Sequence, residues 1–161
     1  MAAGSCEGAP PRVRAAQPQG TPLPTFEQIR DDFSILSEWE DRYRYVIELG
    51  RTLEPLADFE RNAETKVSGC VSQVWIVAER RRSPDGFVTL HFRGDSDSPL
   101  VKGLVRIAIA LFSDRAPRDV LATDALSAFR ALGLEQHLTP QRSNGVKAMI
   151  GRMRADAAAA A

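Results

Sequence analysis

Two runs rich in β-branched and aromatic residues stand on either side of a strong turn signal, and they constrain the fold of this chain most. The runs are residues 73–80 and 87–92, and residues 83–86 between them read Ser-Pro-Asp-Gly. Strand-forming residues on both sides of such a turn are typical of an antiparallel hairpin. A shorter run at residues 66–68 precedes them, so the sequence predicts a small antiparallel sheet of about three strands.

Two amphipathic helices are predicted before the hairpin. Thr25 is followed three residues later by a glutamine, which fits a capping box that opens a helix over residues 25–36. Ser37 repeats the signal with a glutamate three residues later and predicts a second helix. That helix is expected to run to residue 49, where Gly50 is placed to end it in the left-handed conformation.

Three more helices are predicted after the hairpin. Residues 99–112 are apolar nearly all round, with Lys102 and Arg106 as the polar edge, so this helix should be buried against the sheet. The other two helices are expected at residues 124–132 and from about residue 142 onward. The fold class is therefore α+β, with helices packed on one face of the antiparallel sheet.

Composition and charge place the chain among ordinary globular proteins. Of its 161 residues 43% are apolar, and 21 basic side chains balance 21 acidic ones. This balance lacks the basic excess that binding to nucleic acid or to an anionic membrane needs. No run reaches the roughly 18 apolar residues that span a bilayer. We therefore expect neither nucleic acid nor membrane as a partner, and a cytoplasmic location.

The sequence divides into a tail, one domain and a short end segment. Residues 1–21 are rich in Ala, Gly and Pro without a periodic apolar pattern, so we expect a disordered tail in which Cys6 is incidental. Residues 22–156 carry the helix and strand patterns of a single domain. The alanines of residues 157–161 are expected to fray.

Cys70 is the strongest candidate for chemistry in the domain. It is the only cysteine outside the predicted tail, and it lies on a short Gly- and Ser-containing loop between two strand-like runs. A thiol reacts through its thiolate, so its surroundings decide whether it is a nucleophile. The alternative is a cysteine that only fills the core, as free cysteines commonly do.

Other chemistries need partners that the sequence supplies poorly. A closed zinc site takes about four ligands, and the candidates Cys70, His91 and His137 are few and far apart in the sequence. We therefore predict no metal. A Cys-dependent hydrolase would need His91 or His137 as a base within hydrogen-bond reach of the thiol. A Cys-dependent hydrolase remains one alternative function for this chain, and a non-catalytic interaction domain is another.

Several stretches, in a fixed order, resemble one family. The run Gly-Cys-Val-Ser-Gln-Val-Trp at residues 69–75 is similar to the active-site loop of the SufE family and its CsdE relatives. These are sulfur-acceptor proteins that work with a cysteine desulfurase in iron–sulfur cluster assembly. The other matching stretches are Trp-Glu-Asp-Arg-Tyr at 39–43, Ile-Glu-Leu-Gly at 47–50, Gly-Asp-Ser-Asp at 94–97, Val-Lys-Gly-Leu at 101–104 and Gln-His-Leu-Thr-Pro-Gln-Arg-Ser-Asn-Gly at 136–145. The resemblance covers about residues 23–154 and implies a SufE/IscU-like architecture.

The resemblance implies a role for each residue of the loop. Cys70 would be the sulfur acceptor, whose thiolate attacks the outer sulfur of a persulfide on the desulfurase and keeps that sulfur as its own persulfide. The mobile loop and the shelter for the sulfur would be formed by Gly69, Val71, Ser72, Gln73, Val74 and Trp75. Arg142 is expected to lie near and favour the anion. Asp95 and Asp97 match a family loop expected near the cysteine, and we hypothesise that such a carboxylate raises the pKa of the resting thiol and restrains it until the partner docks.

The same resemblance implies the partners. A SufS-like cysteine desulfurase would supply the sulfur and be stimulated by this chain, and a downstream cluster scaffold would receive the sulfur. The chain would then be a covalent carrier and activator, not a stand-alone enzyme. No cofactor of its own is expected, because pyridoxal phosphate would belong to the desulfurase. A homodimer is compatible with this role.

Overall fold

The hairpin predicted from the sequence is the sheet of this protein. The computed structural model describes residues 23–161, in which β1 (Val74–Arg82) pairs antiparallel with β2 (Val88–Ser96). Val74 lies opposite Ser96 at one end of the ladder. The α+β fold class is thereby confirmed.

The third strand expected at residues 66–68 is reduced to a single bridge. Lys66 pairs with Trp75 as an isolated antiparallel bridge, so the sheet has two strands and not three. The chain leaves the sheet after one pairing because it turns into the loop that carries Cys70. This bridge still fixes the base of that loop.

Six α-helices surround the hairpin in the described residues. They are α1 (Phe26–Ile35), α2 (Trp39–Gly50), α3 (Pro99–Phe112), α4 (Pro117–Ala122), α5 (Ala125–Ala131) and α6 (Pro140–Ala160). Short 3₁₀ turns lie at Asp58–Glu60 and Glu135–His137. The sequence interpretation missed α4, a short helix that begins at a proline, as helices commonly do.

The N-termini of the helices confirm one of the two predicted capping boxes. At α1 the capping box is present, with Thr25 N donating to Gln28 Oε1 at 2.9 Å. The second predicted box is wrong, because Glu38 precedes α2 and no side chain caps it. α6 begins at Pro140, two residues before the predicted start, because the Thr139 hydroxyl caps the helix and proline suits its first position.

Two glycines let α2 and α3 pack closely. Gly50 is the last helical residue of α2 and does not adopt the predicted left-handed conformation. A Cβ atom on Gly50 would lie 2.7 Å from Gly103 N, and one on Gly103 would overlap the carbonyl oxygen of Val46. Absence of a side chain at this crossing, and not the freedom of a left-handed turn, therefore explains the glycine at the end of α2.

The buried helix α3 carries an unexpected charge. Its apolar side chains pack in the core as predicted, and Lys102 is partly exposed. Arg106, predicted on the polar edge, is only 5% exposed. It is buried because its guanidinium finds polar partners inside, donating from Nε to Thr52 Oγ1 and from Nη2 to Pro24 O, each at 3.2 Å.

The end of the chain is more ordered than the sequence indicates. α6 continues through Ala160, and Ala157 is fully buried, so the fraying expected for residues 157–161 is not observed up to Ala160. Alanine favours helix, and the buried face of α6 packs against α4, β1 and α3. None of the helices in residues 23–161 is long and apolar enough to cross a membrane. The predicted tail at residues 1–21 lies outside the described residues.

Candidate functional site

The loop that carries Cys70 is tied at both ends. Val67 N donates to Val74 O at 2.8 Å, which closes the loop at its base. At its far end Gln73 N donates to a carboxylate oxygen of Asp97 at 3.0 Å. Gly69 has a φ of +90°, a conformation that side chains rarely adopt. The Gly/Ser signal in the sequence therefore marks a tight loop that presents one thiol.

The Cys70 thiol packs against the N-terminal half of α6. Its Sγ atom lies 3.6 Å from Gly145 O, close enough for a weak S–H hydrogen bond to that carbonyl. The residue is half-buried, and burial raises the pKa of the thiol above its ordinary value. The resting site thus holds a protonated, partly sheltered sulfur.

A small cavity adjoins the sulfur. It has a volume of about 30 Å³, whereas a single water needs roughly 10–15 Å³, so an added atom of the size of sulfur fits. Its wall is mostly apolar and brings together Cys70, Val71, Ser72, Val74, Val101, Leu104, Gln141, Arg142, Gly145, Val146 and Met149. An apolar wall of this kind shelters a reactive sulfur from water.

The predicted shelter is only partly assembled. Val74 is buried on the cavity wall. Val71 lines the cavity too but is 81% exposed, so it forms the outer rim of the loop. Trp75 does not line the cavity; alternation along β1 places it on the other face, where the Arg61 guanidinium lies 5.9 Å from its ring centroid.

Arg142 is the predicted site residue that the fold brings from farthest along the chain. It lies in the first turn of α6, where its N–H donates to Thr139 Oγ1 at 3.3 Å. Its side chain lines the Cys70 cavity. Burial is the cause that raises the pKa of Cys70, so an effect of the Arg142 charge on a sulfur anion stays a prediction.

Asp95 and Asp97 have partners other than the thiol. Asp95 pairs with Arg61 at 2.6 Å and with Lys102 at 3.5 Å. Burial opposes the charged form of Asp95, but hydrogen bonds from Arg61 and from Ser96 N–H outweigh it and lower its pKa. Neither carboxylate lines the cavity, and burial is the cause that raises the pKa of Cys70. Tuning of the thiol by these residues stays a prediction.

The two histidines lie away from the thiol. His91 Nδ1 is 3.0 Å from Asp114 Oδ1, and the His137 ring stacks on Trp39 with centroids 3.9 Å apart. Neither histidine lines the Cys70 cavity. A hydrolase mechanism through Cys70 therefore lacks its base. In residues 23–161 no group of three or more His, Cys, Asp or Glu side chains converges as a metal site would.

Two contacts of the site were missed by sequence reasoning. Gly145 supplies the carbonyl and the open space beside the sulfur. Arg61, in the segment between α2 and β1, binds Asp95. A glycine inside a helical pattern often marks a close approach, so Gly145 could have been found from the sequence, whereas Arg61 has no local signal.

The comparisons with known proteins identify the family of this chain. Residues 27–157 match the family model described as "SufE: Fe-S metabolism associated domain". The chain belongs to the SufE family. Among its relatives is an uncharacterized SufE-like protein of Rhizobium etli, 45% identical over 135 residues, which are 84% of this chain and 90% of the relative. An uncharacterized SufE-like protein of Rhizobium meliloti is 44% identical over 135 residues, covering 84% of this chain and 96% of the relative.

The fold of this SufE-family chain also occurs in a solved structure. It is similar to the solution structure of a hypothetical protein from Thermus thermophilus, with a TM-score of 0.63 and 25% sequence identity. The match covers 84% of this chain and 94% of the other. Membership of the SufE family associates this chain with iron–sulfur metabolism.

Proposed function

We propose that this SufE-family protein accepts sulfur on Cys70 from the persulfide of a cysteine desulfurase and stimulates that enzyme. The observation that carries the proposal is the Cys70 thiol beside an apolar cavity of about 30 Å³. A nucleophile that served only a transient attack would need no such space. A carrier needs it, because the sulfur must be held until it is passed on.

The transfer balances as an exchange at sulfur. The Cys70 thiol loses its proton to solvent, and the thiolate attacks the outer sulfur of the desulfurase persulfide. A new S–S bond forms at Cys70 while the S–S bond on the desulfurase breaks. The desulfurase cysteine leaves as a thiolate and takes up a proton, so no oxidant or reductant is consumed.

The raised pKa of Cys70 fits a thiol that reacts only at its partner. Burial favours the neutral thiol, so attack requires that the loop open or that a cation come near. Arg142 on the cavity wall is the cation at hand. Val71, exposed on the rim, is the side chain that an approaching desulfurase would contact first.

The proposed reaction also involves a cofactor on the desulfurase and a protein that receives the sulfur. The desulfurase holds pyridoxal phosphate, this chain needs no cofactor of its own, and a cluster scaffold downstream receives the sulfur. The desulfurase, this protein and the scaffold act in the cytoplasm. The protein is then a carrier and activator, because the sulfur leaves it covalently unchanged after each cycle.

Intact-mass measurement tests the proposal. The protein is incubated with a SufS-like cysteine desulfurase and L-cysteine, and its mass should increase by one sulfur atom that reduction removes. Cys70→Ser should show no adduct, while the matched variant Cys6→Ser should retain it. Absence of the adduct in the unmodified protein would contradict the carrier role and leave the interaction domain as the better description.

A further inference from the structure

A larger cavity lies elsewhere in the fold. Its volume is about 330 Å³, within the range of about 300–1,000 Å³ typical of small-molecule sites. It shares no lining residue with the Cys70 cavity. Arg106 and His91, both buried, form part of its wall together with apolar side chains of α3. This cavity is therefore separate from the site of the sulfur chemistry.

The Arg106 guanidinium is a buried cation with neutral partners. The residue is 5% exposed, and its side-chain hydrogen bonds go to a hydroxyl of Thr52 and the carbonyl of Pro24. No carboxylate in residues 23–161 forms an ion pair with it. An arginine keeps its charge even when buried, and a buried charge without a counterion is costly. An anion in the cavity would relieve that cost.

His91 adds an unsatisfied polar atom to the same wall. Its Nδ1 atom is hydrogen-bonded to Asp114, but its buried Nε2 atom has no hydrogen-bond partner in the described residues. Glu54 Oε1 lies 3.3 Å from Nε2, off the direction that a hydrogen bond requires. Glu27 also lines the cavity. The cavity wall thus carries one cation without a carboxylate partner, Arg106, beside Arg93, which is paired with Glu60 and Glu79, and several carboxylates.

We propose that this cavity binds a small monocarboxylate, with its carboxylate on the Arg106 guanidinium and its apolar part against Ile109 and Ala110. Both of these side chains line the cavity. The charges select this class, because a dianion such as phosphate would be repelled by Glu54 and Asp114 while a single carboxylate needs only one cation. An α-amino acid shares this chemistry and would place its ammonium group toward those acids.

Calorimetric titration of the full-length protein tests the proposal. The probes are propionate, L-alanine and inorganic phosphate, each at millimolar concentration. We expect a carboxylate to bind and phosphate to bind at least about tenfold more weakly. Tighter binding of L-alanine would identify an amino acid as the ligand, and equal binding would identify a simple carboxylate. Failure of both carboxylates to bind, or equal binding of phosphate, would overturn the proposal.

Two variants locate the binding. Arg106→Gln should weaken carboxylate binding about tenfold or more, since a charge-assisted pair is lost. Ala110→Phe should abolish binding by filling the cavity while Arg106 stays in place, so it keeps the test valid if Arg106→Gln does not fold. Arg118→Gln, at a side chain that is 87% exposed, is the matched control and should bind normally. Normal binding by Ala110→Phe or by folded Arg106→Gln would refute the site.

Discussion

The two faces of the hairpin differ in their polar contacts, although the face toward the helices is also held by buried apolar side chains such as Ile76 and Phe92. On the face toward α6, the Cys70 sulfur makes one weak contact with Gly145 O at 3.6 Å. On the other face, Arg93 lies 2.5 Å from Glu60 and 2.7 Å from Glu79. Charge-assisted bonds are stronger and more directional than a thiol contact. The difference means that a partner can displace the thiol without loosening the strands that carry it.

The contrast can be tested first by straining the Cys70 loop and the hairpin turn to the same extent. Gly69 and Gly86 both have positive φ, +90° and +85°, and an alanine at either position should cost about 1–2 kcal/mol of stability. Gly69→Ala should also change the rate at which iodoacetamide alkylates Cys70, whereas Gly86→Ala should not. Urea unfolding and alkylation kinetics measure the two effects. Equal alkylation rates in both variants would mean that the loop does not position the thiol.

Filling the Cys70 cavity should prevent retention of the sulfur. A Cβ on Gly145 would lie 3.6 Å from the sulfur, so Gly145→Leu extends into the space that a persulfide needs. We expect the lifetime of the persulfide to fall about tenfold, the equivalent of about 1.4 kcal/mol. Gly151→Leu is the control in the same helix, because nothing lies within 4 Å of its Cβ position. A normal lifetime in Gly145→Leu would show that the cavity does not hold the sulfur.

Removing the charge on the ion-paired face should affect stability alone. Arg93→Gln leaves Glu60 and Glu79 without their shared cation, and hydrogen bonding to Arg93 is the main cause that lowers the pKa of both. Because their folded pKa values lie below the unfolded ones, their stabilisation is present above the unfolded pKa and is lost as pH falls. The variant should be less stable than the unmodified protein at neutral pH and show a shallower acid transition. A changed alkylation rate of Cys70 would mean that the two faces are coupled.

The smallest expected effect concerns the charge beside the thiol. The alkylation rate of Cys70 should have its pH midpoint above that of free cysteine, because burial raises the pKa. Arg142→Gln should lower the rate by a further two- to threefold at fixed pH, about 0.5 kcal/mol for a partly exposed charge. Lys147→Gln, exposed on the same helix, is the control. No difference between the two variants would remove Arg142 from the site.

Local signals predicted much of the fold. The turn at residues 83–86 predicted the hairpin, and the Thr25 capping box predicted the start of α1. Both succeed because the deciding contacts join residues close in sequence. The prediction of a left-handed helix end at Gly50 was wrong for the opposite reason, since the role of this glycine is set by Gly103 on a different helix. Arg106 looked like a surface residue because its two partners come from distant segments.

In the candidate site, the position of Cys70 on a loop was predictable from the sequence, but the residues that contact the site were not. Gly69 and the neighbouring serine marked Cys70 as a loop thiol, and Cys70 does lie on a loop in the structure. The contact between Cys70 and Gly145 spans 75 positions in the sequence, so no local pattern contains it. Likewise, Asp95 sits in a motif of the resemblance, but its partner Arg61 is 34 positions away. Pair contacts of this kind follow only from the packed fold.

Locating the transferred sulfur tests the central claim most directly. After a single turnover with a cysteine desulfurase and isotope-labelled L-cysteine, the protein is alkylated, digested and analysed by tandem mass spectrometry. We predict labelled sulfur on the peptide that contains Cys70 and none on the peptide that contains Cys6. Labelled sulfur on Cys6 alone, or on neither cysteine, would contradict it.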